Sequence, residues 1–172
     1  MARYILYYDS FIMTILAQRE ASKFFCIFYK FLSQLGNGVF YVLIEFMELW
    51  LFKHKGRPMF LAILIGYAIQ LPVYFIVKNS VKRLRPFEKL ENIKNIIAVP
   101  DKYSFPSGHT AAAFLMARSL SFQFPELSTF LFVIAALIGF SRVYLRVHYP
   151  TDVMAGAILG LFSSLMGTWI VF

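Results

Sequence analysis

The sequence predicts an all-α fold: a polytopic transmembrane helix bundle of five or six spans, preceded by an amphipathic helix at the N-terminus. Three observations carry that prediction. Of the 172 residues, 59% are hydrophobic and only 15% charged, with a mean hydropathy of +0.65. One soluble core of this size cannot hide so much apolar side chain, because a soluble surface must stay largely polar. The apolar residues also fall in runs long enough to cross about 30 Å of hydrocarbon at ~1.5 Å per residue, and the polar residues collect between those runs. Residues 1–172 read as a single membrane-embedded domain.

Residues Ala2 to Arg19 mix Tyr, Ile, Leu and Phe with Arg3, Asp9, Gln18 and Arg19. They read as an amphipathic helix in the membrane interface, assigned to residues 1–22. No cleavable signal peptide is expected, since Met1 to Ala21 lacks a clean apolar run followed by a small-residue cleavage site. Phe24 to Leu32 is apolar, interrupted by Lys30 and then by Gly36-Asn37-Gly38. It reads as a half-buried segment leading into the first span, from about Leu35 to Phe52, which carries Glu45 and Glu48. The second span is Met59 to Val77. A polar loop follows over residues 78–107, too charged for lipid. Further spans are expected from Gly108 to Phe122, Leu127 to about Leu145, and Val153 to Phe172. Gly156 and Gly160 form a small-xxx-small face, best read as close helix packing.

The charge narrows the partners. Seventeen Lys and Arg against nine Asp and Glu give a formal charge of +8. In so apolar a chain this fits anionic lipid, the positive-inside bias or an anionic substrate rather than nucleic acid. The single cysteine, Cys26, cannot form an internal disulfide. Counting crossings then gathers Lys78, Arg85, His109, Arg142, His148 and Asp152 at one membrane face. A purely structural bundle has no need of that gathering.

Three stretches carry the chemistry. Lys78 and Arg85-Pro86 place two cationic donors at the end of a span. Arg offers a planar fork matched to phosphate and Lys a point charge, although a snorkelling basic cluster at a helix end reads the same way. In Pro106-Ser107-Gly108-His109 a proline stops the preceding chain, Ser107 is a good N-cap, and Gly108 permits close approach of a ligand. The helix that starts there offers free N–H groups and its positive dipole end to an anion; an ordinary capped helix with an interfacial histidine is the plainer reading. In the third stretch, Ser141-Arg142 is followed by His148 and Asp152, four residues apart. There the aspartate can hold one imidazole nitrogen and leave the other facing substrate. Capping of the last helix accounts for Asp152 but not for an Arg and a His at membrane depth. His54, in a basic turn with Lys53, Lys55 and Arg57, falls on the opposite face.

Together these stretches resemble the three-part signature of the type 2 phosphatidic acid phosphatase superfamily. The pattern is Lys, six residues, Arg-Pro; Pro-Ser-Gly-His; and Ser-Arg, five residues, His, three residues, Asp. Every fixed position is matched, from Lys78 to Asp152. The resemblance implies that His148 is the nucleophile, forming a phosphohistidine, that Asp152 orients it, and that His109 protonates the leaving oxygen. It also implies that Lys78, Arg85, Ser107, Gly108 and Arg142 bind the phosphate. No metal or cofactor is expected, because no His, Cys and carboxylate cluster has ligand spacing and the basic side chains can supply the charge. The expected partners are a lipid phosphate substrate and membrane lipids, with no protein partner.

Lys82, Arg83, Lys89, Lys94 and Lys102 add positive charge beyond the need of one phosphate. The compact form resembles bacterial lipid A 1-phosphatases, which makes lipid A 1-phosphate the first choice of substrate. Phosphatidylglycerol phosphate, undecaprenyl pyrophosphate and phosphatidic acid are the alternatives. The expected location is the bacterial inner membrane, with the site on the periplasmic face. Two rival readings stay open: a phosphate-lipid binding or transport protein, and a vanadate-dependent haloperoxidase, which has a similar site on a soluble bundle.

Overall fold

The computed structural model describes residues 2–18, 22–53, 56–91, 93–99 and 101–172. These are α1 (Ala2–Gln18), α2 (Lys23–Leu35), α3 (Gly38–Phe52), α4 (Arg57–Val81), the single turn α5 (Pro86–Lys89), α6 (Gly108–Gln123), α7 (Ser128–Tyr144) and α8 (Pro150–Val171). A 3-10 turn over Pro125–Leu127 joins α6 to α7. The only extended pairing among the described residues is a bridge between Leu84 and Tyr103. The predicted all-α fold is the observed one.

The predicted spans differ from the helices in instructive ways. By length and composition α4, α8 and the run Pro125–Tyr144 can each cross a membrane alone. Helices α2 and α3 together could make a fourth span, bent by 54° at their break. Leu35, expected to open a span, instead closes α2, and α3 starts at Gly38. Helix α6, expected as a span, has 16 residues, or about 24 Å of rise. It lies inside the bundle, where Ala111, Leu115, Met116 and Ala117 are buried.

Close approach of α8 explains how a short central helix can be enclosed. A Cβ on Gly156 would meet the Ser107 carbonyl oxygen at 2.4 Å, one on Gly160 the Ala111 carbonyl at 2.1 Å, and one on Gly167 the Ala62 carbonyl at 2.1 Å. No side chain fits at these crossings, so the small-residue stripe sets the spacing of α8 against both α6 and α4. It also fixes the backbone at Ser107, where the polar end of the bundle begins.

Helix α1 is the expected N-terminal helix. Its apolar residues Tyr4, Tyr7, Tyr8 and Phe11 are exposed, while Asp9 is buried. Its inward face is anchored by an acid rather than by oil alone. On α3, Glu45 and Glu48 also turn inward. His54 and Lys55 lie outside the described residues.

Candidate active site

The ends of α4, α6, α7 and α8 meet at one end of the bundle, as the crossing count predicted. Local chain chemistry explains how each side chain gets there. Pro86 and Pro150 each occupy the first turn of their helix, where a missing N–H costs nothing. Arg85 therefore precedes α5, and His148 lies just ahead of α8. The Ser107 N–H donates to the Asp152 carbonyl at 3.0 Å, stitching the start of α6 to the start of α8.

His148 is buried, with its two ring nitrogens in different surroundings. Nδ1 lies 3.6 Å from Asp152 Oδ2. That is longer than a hydrogen bond, and Nδ1 has no hydrogen-bond partner among the described residues. Nε2 lies 3.4 Å from an Arg85 guanidinium nitrogen. Burial pushes the imidazole down to about 4; Asp152 pulls it upward, and the Arg142 and Arg85 charges add to the downward push. His148 is therefore a neutral imidazole at ordinary pH.

Asp152 is fully buried and satisfied on every side. Its Oδ2 accepts the Tyr149 N–H at 2.9 Å, so it does cap α8 as well as face His148. Its Oδ1 accepts from Arg83 at 2.7 Å. Arg83 also donates to Thr151 Oγ1 at 2.8 Å and to Asp9 Oδ2 at 2.7 Å, and its guanidinium lies 3.9 Å over the Tyr149 ring. Asp9 in turn accepts from the Thr151 N–H at 3.2 Å and from its hydroxyl. Arg83 is therefore not part of the loop's surplus charge. It is an internal tie between α1 and the carboxylate behind His148.

The cationic side of the site is built from three elements. Arg85 donates from one guanidinium nitrogen to the Val147 carbonyl at 2.7 Å and from Nε to the Asp101 carbonyl at 3.0 Å. Lys78 Nζ donates to Tyr74 Oη and, at 2.7 Å, to Asp101 Oδ2. The other Asp101 carboxylate oxygen accepts from Arg85. Burial alone would raise the Asp101 carboxyl, but hydrogen bonds and charge from Lys78 and Arg85 outweigh it and hold it below the usual carboxylate range. Arg142, buried in the last turn of α7, donates to Ser33 Oγ, while its Nε lacks a partner among the described residues.

His109, in the first turn of α6, is the more open imidazole. Its Nε2 lies 2.8 Å from Asn37 Oδ1, at the break between α2 and α3. A Cβ on Gly36 would meet the His109 ring at 3.2 Å, so the break is seated on the histidine. His109 lies within electrostatic reach of Arg142, His148, Arg85 and Asp101. The two imidazoles thus lie within electrostatic reach of each other and of the same two arginines. Gly108 packs beneath the Tyr74 ring, which a Cβ there would meet at 3.2 Å. Ser107 holds the N-cap position but does not cap through its side chain. Its buried hydroxyl pairs with Thr110 Oγ1 at 2.9 Å, which corrects the expectation of an N-cap hydrogen bond.

All the predicted site residues therefore collect at one end of the bundle. Asp9, Ser33, Asn37, Tyr74, Arg83 and Asp101 join them; of these the sequence pointed only to Arg83, as extra loop charge. The Gly36-Asn37-Gly38 interruption did signal a break. Nothing local signalled which side chain the break would face. Among the described residues no group of three or more His, Cys, Asp and Glu is placed to hold a metal ion.

Comparison with known proteins places the chain in a family. The chain is 32% identical over 158 residues to the bacitracin transport permease protein BcrC of Bacillus licheniformis, covering 82% of this chain and 77% of that one. It is 33% identical over 141 residues to an undecaprenyl-diphosphatase of Sulfolobus acidocaldarius, covering 81% and 68%. The crystal structure of Aquifex aeolicus LpxE superposes with a TM-score of 0.79 at 25% identity, over 90% of this chain and 91% of that one. Residues 56–172 match the PAP2 superfamily, and with these relatives that match makes the chain a member of the PAP2 superfamily, as an integral membrane phosphatase.

Proposed function

We propose that the chain hydrolyses the terminal phosphate of a membrane lipid through a phosphohistidine on His148, without a metal ion. The observation that carries this reading is the two-sided setting of His148. Asp152 stands 3.6 Å behind Nδ1 and the Arg85 guanidinium lies 3.4 Å from Nε2. With its proton on Nδ1 toward Asp152, the imidazole presents a lone pair on Nε2 to phosphorus.

Nε2 attacks in line, the P–N bond forms and the bond from phosphorus to the lipid oxygen breaks. His109 gives its proton to that leaving oxygen. Water then attacks phosphorus, its proton passes to His109, and the P–N bond breaks to release inorganic phosphate. Lys78, Arg85, Arg142 and the first amides of α6 balance charge on the nonbridging oxygens. Ser107 joins them only if its hydroxyl turns from Thr110.

For the substrate we favour a polyprenyl diphosphate, supported by the undecaprenyl-diphosphatase whose sequence this chain matches along most of its length. Lipid A 1-phosphate, favoured by the compact form of the chain, is the second reading. The test is phosphate release in detergent with EDTA present. The panel comprises undecaprenyl diphosphate, lipid A, phosphatidylglycerol phosphate and phosphatidic acid. Release from at least one lipid is expected, fastest from the diphosphate. Tight lipid binding with no release from any of them would favour the binding or transport reading and remove the enzymatic one.

The proposed location is the bacterial inner membrane with the site facing the periplasm. It is supported by Lys53 and Arg57 at the end of the bundle opposite the site, as the positive-inside bias requires. A cysteine introduced at Asn95, in a background without Cys26, should react with a membrane-impermeant thiol reagent in intact cells. Labelling only after lysis would reverse the orientation.

A further inference from the structure

We infer that Asp101 sets the binding threshold of the site: its carboxylate holds the place of a phosphoryl group between Lys78 and Arg85 and competes with every incoming anion. The inference rests on the phosphatase reading above. Two cations assigned to phosphate both donate to this one carboxylate, Lys78 Nζ at 2.7 Å to Oδ2 and Arg85 to Oδ1. Arg142 and His109 lie within its electrostatic reach. A planar carboxylate gripped by a guanidinium and an ammonium satisfies those donors as two phosphate oxygens would. The cations themselves are buried, but the Asp101 side chain is 41% exposed. The grip can therefore open outward, with the carboxylate passing into water rather than into the protein.

The physical consequence follows from competition. Any anion that uses Lys78 and Arg85 must first displace Asp101, so the carboxylate weakens every ligand by the same factor. It does not alter the ratio between ligands; it moves the weak ones below the level at which they bind. A site opening at a membrane face meets phosphodiester headgroups in great excess, each with one negative charge. Replacing one charge with another gains little. A phosphomonoester or diphosphate end brings at least one charge more, which Arg142 is placed to meet. Return of Asp101 to the two cations also helps expel inorganic phosphate after each cycle.

The test compares wild type with Asp101→Asn in detergent, using inorganic phosphate and dimethyl phosphate at pH 8 as probes. Binding is read by thermal stabilisation, which needs no turnover. The amide of the Asp101→Asn variant carries no charge, so both probes should bind roughly tenfold more tightly, the factor one charge-assisted hydrogen bond contributes. In the lipid phosphate assay KM should fall rather than kcat rise. Phosphatidylglycerol should inhibit the variant at micelle fractions the wild type ignores. Asp101→Glu, which restores a carboxylate, should return the weaker binding. Unchanged or weaker phosphate binding in Asp101→Asn, with Asp101→Glu behaving alike, would show that Asp101 merely holds the two cations in place. If no lipid is hydrolysed by wild type yet Asp101→Asn binds phosphate more tightly, the phosphatase reading fails and the competition stands.

Discussion

His148→Gln should lower turnover of the lipid phosphate by on the order of 10⁴-fold or more, since removing a covalent nucleophile removes the reaction path itself. The substitution suits its site. Glutamine nearly fills the volume of the imidazole and leaves no charge to bury, so the variant should purify and melt close to wild type. Alkaline quenching of wild type with a labelled lipid phosphate should leave label on the protein, because a phosphohistidine resists alkali, and none should remain on the variant. Activity within tenfold of wild type would end the assignment. The pH profile gives a second reading. The folded imidazole is shifted down from the usual 6.5 to about 4, so the neutral, attacking form persists above about pH 4 and is lost below it. The acid limb of kcat/KM owed to His148 should lie there, while a limb near pH 6 belongs to the second ionisation of the phosphate. The substrate limb moves when the lipid is changed; the limb of His148 does not.

Much of this site was legible because its fixed residues sit where apolar runs end. The expected span Met59 to Val77 became a helix from Arg57 to Val81, and Leu127 to Leu145 became Pro125–Tyr144. The misjudged ends have a common cause. Helical hydrogen bonding does not stop where hydrophobicity does, so Lys78 lies inside α4 rather than after it. Illegible were the residues whose meaning depends on a distant partner. Asp9 and Arg83 lie 74 positions apart, and nothing near either announces the other. In a segment read as amphipathic, Asp9 looked like part of a wet face; it is the most inward polar group of α1. Asp101 drew no notice in a basic loop, yet it is bound to Lys78 and Arg85. Asn37 marked a break, but its contact with His109 exists only because α2 and α3 bend there.

Arg83→Met is the second large expected effect, and it falls on stability as well as turnover. Arg83 is the cation between two buried carboxylates: Asp9 at 2% exposure and Asp152 at 0%. Its removal leaves both without a counter-charge in a medium where each charge is costly, an effect of about 3–5 kcal/mol for a single broken buried pair. Against a net folding stability of about 5–15 kcal/mol, that is a large share. Melting in detergent should fall by roughly 10 °C, and α1 should become cleavable by protease, because Asp9 loses its hold on the bundle. Turnover should fall too, since Asp152 is then free to turn from His148. Asp9→Asn should cost less, because Arg83 keeps Asp152 and the amide still accepts from Thr151. The pairing can be measured with a double-mutant cycle. If Arg83→Met and Asp9→Asn each act through the same tie, their combined effect should fall short of the sum. Additive losses, or an Arg83→Met protein that melts like wild type, would mean that the tie carries no energy and that α1 is held to the site by apolar packing alone.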